Sequence, residues 1–296
     1  MLDFDVVDVF GEGPFSGNQL AVVHGTAGLS DEQLLAIARE FNFSETTFPG
    51  TVDEEGYDVR IFTPGGEIPF AGHPTLGTAW VLRLHGLLPP ERDDVVQRCG
   101  AGAIGVRFGE HVELSATPRD LAGPLPASVA HALLADLGLV PDDLAGDAWL
   151  AGTGLTFVHL PVRPDAVSRA HPSVRSLGEY AADLPDCVDP TDGINLHSIG
   201  TAGDPGDKVQ VHARVFVPGL DVAEDPATGS AAAGLGMALV ATGRLPEGGG
   251  YEIRQGLEMG RPSRLHGRVM VEGGSAVRCH VGGQVHPVAR GSIRRP

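Results

Sequence analysis

The chain has 296 residues, about twice the length of an average domain, which allows two domains or one large one. Its 21 basic and 38 acidic side chains give a formal net charge of −17, which disfavours nucleic acid and anionic membranes as partners. It has no run of 18 apolar residues and no signal-like start, so we expect a cytoplasmic protein without a membrane span.

The predicted elements are mostly short strands, because 42 glycines and 23 prolines favour tight turns. A capping box at Ser30-Asp31-Glu32-Gln33 predicts a first helix, and residues 129–137, followed by Gly138, predict another. A proline-containing linker at 121–127 separates a first lobe, 1–120 with a C-terminal strand from 277–296, from a second lobe, 121–276. The predicted strands are 3–9, 19–23, 58–62, 111–114, 157–162, 209–217, 268–271 and 277–281.

The residue types disfavour most cofactors. Lys208 is the only lysine and lies in the turn-like stretch Asp204-Pro205-Gly206-Asp207-Lys208, so neither a phosphate-binding loop nor a pyridoxal phosphate imine is expected. Residues 100–105 fit G-x-G-x-x-G, but the alternation after them predicts a turn and a strand, not the helix of a dinucleotide site. The three widely spaced cysteines form no metal or disulfide pattern: Cys99, Cys187 and Cys279. We therefore predict no cofactor and no metal.

A weak internal repeat runs through the sequence. Arg60-Ile61-Phe62-Thr63-Pro64-Gly65 recurs as Arg214-Val215-Phe216-Val217-Pro218-Gly219, and Pro69-x-x-Gly72-His73-x-x-x-Gly77 recurs as Pro226-x-x-Gly229-Ser230-x-x-x-Gly234. The repeat predicts a duplicated unit of strand, proline-glycine turn and helix. Both helices, 74–82 and 231–241, are small and apolar and are therefore expected to be buried on most sides. The predicted fold is α+β, with two similar lobes that each wrap a twisted antiparallel sheet around a central helix.

Each repeat places a glycine at the start of its helix, where the first N–H groups have no internal partner. Gly72-His73 and Gly229-Ser230 are therefore candidate anion-binding sites, which would hold the carboxylate of a small acid if both faced one cleft. The alternative is that these glycines only permit close packing of helix on sheet.

Two carboxylates are candidate proton carriers or orienting groups. Glu45 follows the first helix in an extended segment that would place Phe43, Glu45 and Thr47 on one face, and desolvation there would raise the glutamate pKa toward neutrality. The alternative is an ordinary exposed glutamate. Asp225 is either an orienting carboxylate or an Asp-Pro turn residue. Shifting Glu45 by the repeat offset reaches 199–202, where there is no carboxylate, which favours a single base.

The sequence resembles the PhzF-like family of phenazine-biosynthesis isomerases, which has the diaminopimelate epimerase fold. The resemblance spans residues 7–231 and rests on Val7-Asp8-Val9-Phe10, Gly17-Asn18, Ser44-Glu45-Thr46, Arg60-Ile61-Phe62-Thr63-Pro64, Glu67-Ile68-Pro69-Phe70-Ala71-Gly72-His73-Pro74 and Glu224-Asp225-Pro226-Ala227-Thr228-Gly229-Ser230-Ala231.

This resemblance implies two lobes, each a strongly bent sheet around a central helix, with the site between them. It implies cofactor-free isomerisation of a dihydro-hydroxyanthranilate, and a homodimer. The residues implied as catalytic are Glu45, His73, Asp225 and Ser230, and those implied as substrate-binding are Asn18, Ser44, Gly72 and Gly229. Gln19 departs from the proline of many relatives and leaves the substrate open.

We therefore expect a cofactor-independent isomerase that moves a proton on a small carboxylated, cyclic metabolite. One alternative is an amino-acid racemase or epimerase, which needs a base on each face. Racemases of this fold carry a thiol at each helix start, where this chain has His73 and Ser230. A second alternative is a non-catalytic relative that binds a metabolite or a protein.

Overall fold

The computed structural model describes residues 1–173, 175, 177–184, 192–200, 207–218 and 223–296. The chain forms two compact units, one of residues 1–115 with 282–296 and one of residues 116–281. Cys187, residues 204–206 of the segment before Lys208, and Gly219 of the repeat lie outside the described residues. Within the described residues, no helix is long and apolar enough to cross a membrane.

Short strands alternate with five α-helices among the described residues. The first part of the chain contains β1 Leu2–Val9, β2 Asn18–Val23, α1 Asp31–Phe41, β3 Glu45–Val52, β4 Gly56–Thr63, β5 Gly66–Ile68, α2 Gly72–Leu84, β6 Asp94–Cys99, β7 Gly102–Phe108 and β8 Val112–Ala116. The second part contains β9 Asp120–Ala122, α3 Ala127–Asp136, β10 Trp149–Gly152, β11 Thr156–Pro161, α4 Pro164–Arg169, β12 Gly193–Ile199, β13 Val209–Phe216, β14 Glu224–Asp225, α5 Gly229–Ala241, β15 Gly249–Gln255, β16 Ser263–Glu272, β17 Ser275–Gly283 and β18 Val285–Ile293. Two short 3-10 helices are Pro141–Asp143 and Leu177–Asp183.

The predicted α+β class is confirmed, because most strand pairs are antiparallel and the helices are few. Each unit also contains two parallel pairs, β2–β3 and β4–β6 in the first and β11–β12 and β13–β15 in the second. Parallel strands cannot be joined by a hairpin, so the chain crosses over between them, and each of these crossovers contains a helix.

The core of the first unit is α2, which packs against β1, β2 and β3. Its residues are buried without interruption from Gly72 to Ala79. A Cβ at Gly77 would lie 2.5 Å from Leu20 Cδ2 and 2.8 Å from Val9 Cγ2, so only glycine lets the helix lie this close to the strands.

The second unit repeats this arrangement with α5, which packs against β10, β11 and β16 and is buried from Gly229 to Leu239. A Cβ at Gly234, the repeat partner of Gly77, would lie 2.7 Å from the Ala151 carbonyl oxygen. The prediction of one buried apolar helix at the centre of each lobe is therefore confirmed. The helices lack a polar face because the surrounding sheet leaves them no solvent-facing side.

The repeat is preserved as an interaction as well as a sequence pattern. Phe62 pairs with Glu67 across β4 and β5, and Phe216 pairs with Glu224 across β13 and β14. In each unit an arginine two residues before the phenylalanine forms a forked ion pair with the glutamate and lies over the phenylalanine ring. The two sets are Arg60, Glu67 and Phe62, and Arg214, Glu224 and Phe216.

The structure confirms two of the local predictions and corrects a third. The capping box at Ser30 is present, with Ser30 Oγ accepting from the Gln33 backbone and the Gln33 side chain accepting from the Ser30 backbone. Residues 100–101 form a turn into β7, which confirms the predicted turn and strand at this glycine-rich segment. The linker predicted at 121–127 is wrong in part, because Leu121 and Ala122 belong to β9, which pairs with β10.

The duplicated ion pair predicts a strong difference in stability between two equivalent substitutions. Arg214 and Glu224 have only 7% and 10% of their side chains exposed, and Arg214 also donates to the Ala170 carbonyl at 2.6 Å, whereas Arg60 and Glu67 are 39% and 43% exposed. Arg214→Met leaves the buried carboxylate of Glu224 without its partner and is expected to lower the free energy of unfolding by about 3–5 kcal/mol. Arg60→Met is the matched control, expected to cost about 1 kcal/mol or less. Urea denaturation measures both, and equal losses would contradict this reading.

Candidate active site

Glu45 and His73 come together at the start of α2. Glu45 is the first residue of β3 and His73 is the second residue of α2, and Glu45 Oε2 lies 3.4 Å from His73 Nε2. Their side chains are 16% and 6% exposed. The pair is therefore a carboxylate and an imidazole held in contact within a largely dry site, which is an arrangement suited to holding a proton.

The imidazole of His73 is neutral. Burial disfavours its charged form and lowers its pKa from 6.5 to about 3, although a hydrogen bond to the Gln19 backbone opposes part of this shift. A bond that favours the charged ring has the ring N–H as donor and the Gln19 carbonyl as acceptor. The acceptor is a backbone carbonyl, so it does not depend on the side chain at residue 19.

Asn18 and Ser44 lie on segments next to Glu45, one through the pairing of β2 with β3 and the other along the chain. Asn18 is buried at the first residue of β2, and Leu20 of the same strand pairs with Glu45 in parallel register. Gly17, which precedes Asn18, has a φ of +71°, and a Cβ at Gly17 would lie 2.4 Å from the Val9 carbonyl oxygen. The turn before Asn18 therefore requires glycine. Ser44 immediately precedes Glu45, half-buried and outside the strand.

The expected environment of Glu45 is corrected in one respect. The sequence predicts Phe43 and Glu45 on one strand face, but β3 begins at Glu45 and Phe43 lies outside it, with its ring 6.0 Å from the Phe41 ring. The segment 42–44 is a turn because α1 ends at Phe41 and its C-cap residue, Asn42, adopts the left-handed conformation, which redirects the chain before the strand. The desolvation of Glu45 comes from its own burial and not from an alternating strand face.

Both central helices begin without a side-chain cap. The residues before them, Ala71 and Thr228, are extended and make no capping hydrogen bond with their side chains. The first N–H groups of α2 and of α5 therefore receive no side-chain acceptor from the cap residue. His73 is 5% exposed and Ser230 is 9% exposed.

Asp225 of the second unit is held by a short polar chain. Thr228 Oγ1 donates to Asp225 Oδ2, and Gln255 Nε2 donates to Thr228 Oγ1 at 3.0 Å and to the Asp225 carbonyl at 2.7 Å. Gln255 is buried on β15, and sequence reasoning gave it no role. No repeat signal marks it, because the strand pairing aligns Ile253, and not Gln255, with Gln97 of β6.

The strand register identifies the counterpart of Glu45 in the second unit. Thr46 pairs with Phe62, and Ile194 pairs with the repeat-equivalent Phe216, so Glu45 corresponds to Gly193. This corrects the offset-based placement at 199–202, of which residues 201–202 lie outside the described residues. A Cβ at Gly193 would lie 2.7 Å from the Phe216 carbonyl oxygen, so no side chain fits where the first unit has its carboxylate.

The described cysteines are not placed as bases. Cys279 is buried on β17, and burial raises the pKa of its thiol to about 12. Cys99 is half-buried at the end of β6 with Sγ 3.6 Å from the Gly102 carbonyl. The residues at the helix starts are instead an imidazole in α2 and a hydroxyl in α5.

The two units thus define a class of protein: a duplicated α+β fold, one half with a buried carboxylate–imidazole pair at a helix start and the other with a carboxylate and a hydroxyl. Comparison with known proteins identifies a family that matches nearly the whole chain. Residues 7–291 match the PhzC-PhzF family, described as phenazine biosynthesis-like protein.

Similar proteins align with nearly the whole length of the chain. The trans-2,3-dihydro-3-hydroxyanthranilate isomerase of Pseudomonas aeruginosa is 33% identical over 97% of both chains. An uncharacterized isomerase of Mesorhizobium japonicum is 35% identical over 97% of this chain and 96% of its own. The crystal structure of a PhzF-family phenazine biosynthesis protein of Bacillus anthracis has a TM-score of 0.84 over 99% of both chains at 23% identity, which shows the same fold. The chain belongs to the phenazine biosynthesis-like (PhzF) family and is an isomerase.

Three buried neutral histidines predict that acid destabilises the protein. Burial lowers the pKa of His73 and His159 to about 3 and that of His197 to about 4, all below the ordinary value of 6.5. The unfolded chain therefore takes up these protons first, so stability is full above pH 6.5 and is lost as the pH falls toward 3–4. Between pH 7.5 and 5.5 we expect a loss of roughly 1 kcal/mol for each histidine.

Urea unfolding at the two pH values measures this loss. His197→Gln removes one titrating group and is expected to reduce the difference by about a third, whereas the exposed His171→Gln is the control and leaves it unchanged. A protein equally stable at both pH values would contradict the neutral state of the three rings.

Proposed function

We propose that this protein is a cofactor-independent isomerase that moves a proton on a small cyclic carboxylate of the dihydro-hydroxyanthranilate type, with Glu45 as the proton carrier. The observation that carries the proposal is the buried contact of 3.4 Å between Glu45 Oε2 and His73 Nε2 at the start of α2. The substrate class is supported by the Pseudomonas relative, which is named as the isomerase of that compound and matches nearly the whole chain.

In the proposed reaction Glu45 takes a proton from an activated carbon of the substrate and returns it to another. One C–H bond breaks, another forms and the double bond moves, so no electrons are gained or lost. The neutral ring of His73 donates one N–H to the Gln19 carbonyl and directs the lone pair of Nε2 at Glu45. A proton carried by Glu45 is then held between the two groups, and the ring orients the carboxyl for transfer.

The uncapped helix starts supply the binding of the acid group. The N–H groups at Gly72 and Gly229 lie at the positive ends of two helix dipoles. These N–H groups and dipoles would stabilise a bound carboxylate. The same dipoles favour the negative charge that develops on the substrate when its proton is removed. Binding the acid and lowering the barrier would thus be done by the same backbone groups.

The duplication supports proton transfer along one face and weighs against a two-base racemase. A racemase needs a base on each face of the reacting carbon, but α5 begins with the hydroxyl of Ser230, and Gly193, at the position that corresponds to Glu45, admits no side chain. We propose that the second unit contributes binding groups in place of a second base. We propose that Asp225 and Ser230 contact the same substrate as Glu45, and that Asn18 and Ser44 also help to bind it. Homodimer formation and a cytoplasmic location remain predictions.

Glu45→Gln tests the proton carrier. The amide keeps the size of the side chain but cannot take up and release a proton, so turnover of trans-2,3-dihydro-3-hydroxyanthranilate should fall by roughly 10²- to 10⁴-fold. Product formation is followed by chromatography, and by NMR in D₂O for the carbon that receives solvent deuterium. Glu40→Gln, an exposed glutamate on α1, is the matched control and should leave turnover unchanged.

Two results would overturn separate parts of the proposal. Full turnover by the Glu45→Gln protein would remove Glu45 from the reaction. No turnover by the unaltered protein at any pH where it is folded would remove the substrate class while leaving the fold and the family untouched.

Asp225→Asn tests whether the second unit acts on the same substrate. The amide retains an oxygen that can accept from Thr228 and keeps the Gln255 contacts to the backbone, so the local structure should hold. Loss of the charge is expected to reduce kcat/KM by roughly tenfold or more, if the carboxylate contacts a polar group of the substrate. Asp207→Asn, in the same unit and exposed, is the control. Unchanged kcat/KM in Asp225→Asn would exclude this contact.

A further inference from the structure

At the C-terminal end of α2, three side chains from different elements of the first unit converge on one point. Asp5 lies on β1, His24 follows β2 and His85 follows α2. Asp5 Oδ2 is 2.9 Å from His24 Nε2 and 2.8 Å from His85 Nε2. Because α2 advances about 1.5 Å per residue, this cluster is roughly 18 Å along the helix from His73, so it is separate from the proposed active site.

We propose that Asp5, His24 and His85 form a binding site for a divalent transition metal ion, with Zn²⁺ as the best fit. Two imidazole nitrogens and one carboxylate oxygen are ligand types that Zn²⁺ prefers, and three protein ligands leave a fourth position for water. The three ligand atoms all lie within 4.8 Å of one another. Among the described residues, no other group of three histidine, cysteine or acidic side chains converges in this way.

The backbone holds the three ligands before any ion binds. Asp5 pairs with Val22 in the β1–β2 ladder, and the His24 N–H extends that ladder by donating to the Asp3 carbonyl at 2.8 Å. The His85 N–H donates to the Val81 carbonyl at 3.1 Å as the last hydrogen bond of the helix. Ligand side chains are 9%, 22% and 16% exposed for Asp5, His24 and His85, so the site is sheltered but reachable from solvent.

The spacing needs only a small expansion to accept the ion. Metal–ligand bonds of about 2.0–2.1 Å place tetrahedral ligand atoms roughly 3.3 Å apart, so each nitrogen moves about 0.5 Å away from Asp5 Oδ2. The His24 and His85 rings are nearly perpendicular with centroids 5.5 Å apart, so their Nε2 atoms approach one point from different directions. The negative end of the α2 dipole at His85 and the net charge of −17 both favour a cation here.

Arg290 contacts two of the proposed ligands and must move when the ion binds. Its Nη2 lies 3.3 Å from His85 Nδ1 and its Nε lies 3.9 Å from Asp5 Oδ1. When Nε2 of His85 binds a metal ion, its proton resides on Nδ1, which then no longer accepts from Arg290. The Arg290 side chain is 68% exposed, so it can turn into solvent without leaving a buried charge. The bound ion replaces that contact and fastens β1 and β2 to the end of α2.

Calorimetric titration of the chelator-treated full chain with Zn²⁺ tests the site, with Co²⁺ as a spectroscopic probe of coordination by nitrogen. We expect one tight site per chain and a Zn²⁺-dependent rise in the unfolding midpoint, because the ion binds the folded state. Mutating groups that merely hydrogen-bond a metal ligand weakens affinity by roughly 10- to 100-fold, so His24→Gln and His85→Gln together should cost at least that much. His171→Gln, an exposed histidine elsewhere, is the matched control and should bind as the parent does.

The single variant His24→Gln serves if the double variant does not fold, since it leaves the Asp5–His85 contact intact. Binding in either variant with the parent's stoichiometry and affinity would overturn the site. So would a parent chain that binds no Zn²⁺ when the ion is in excess. Neither readout depends on isomerase activity, so failure of this proposal is distinguishable from failure of the proposed function.

Discussion

The enclosure of a helix that has no polar face is the constraint on which each unit depends. An apolar helix such as α5, buried from Gly229 to Leu239, is stable only if strands surround it on all sides. Close enclosure in turn requires glycine at the contact points, as at Gly77 and Gly234. Because the sides of each helix are occupied by strands, the helix start is where a ligand can reach its backbone. The proposed binding groups at Gly72-His73 and Gly229-Ser230 are therefore positioned by the same packing that stabilises the fold.

The duplication shows which interactions serve structure and which have diverged. The forked arginine–glutamate pair and its phenylalanine occur in both units with the same strand register, as Arg60–Glu67 and Arg214–Glu224. At the helix starts the units differ, since one has an imidazole where the other has a hydroxyl. The carboxylate of Glu45 corresponds to Gly193, whose position has no room for a side chain. Conserved packing with divergent polar groups is what we expect when two copies of one unit take unequal parts in a reaction.

Much of this could be read from the chain because local patterns have local causes. The capping box at Ser30 and the strand alternation of residues 3–9 depend on neighbouring residues, and both elements formed as predicted. The repeat predicted the two central helices, because matching spacing of glycine and proline imposes matching turns. The pairing of Glu45 with His73 was anticipated only through family resemblance. The cluster of Asp5, His24 and His85 has no spacing signal, because its members come from separate elements.

The sequence by itself determined the α+β class, the internal duplication, the absence of a thiol at either helix start and the candidate residues of both halves. Tertiary structure alone decided the contact of 3.4 Å between Glu45 and His73, the neutral state of that imidazole and the support of Asp225 by Gln255. It also decided that Gly193, and not a residue at 199–202, corresponds to Glu45. The physical reason is that distances, burial and strand register depend on residues far apart in the chain, whereas turns, caps and periodicity depend on residues next to one another.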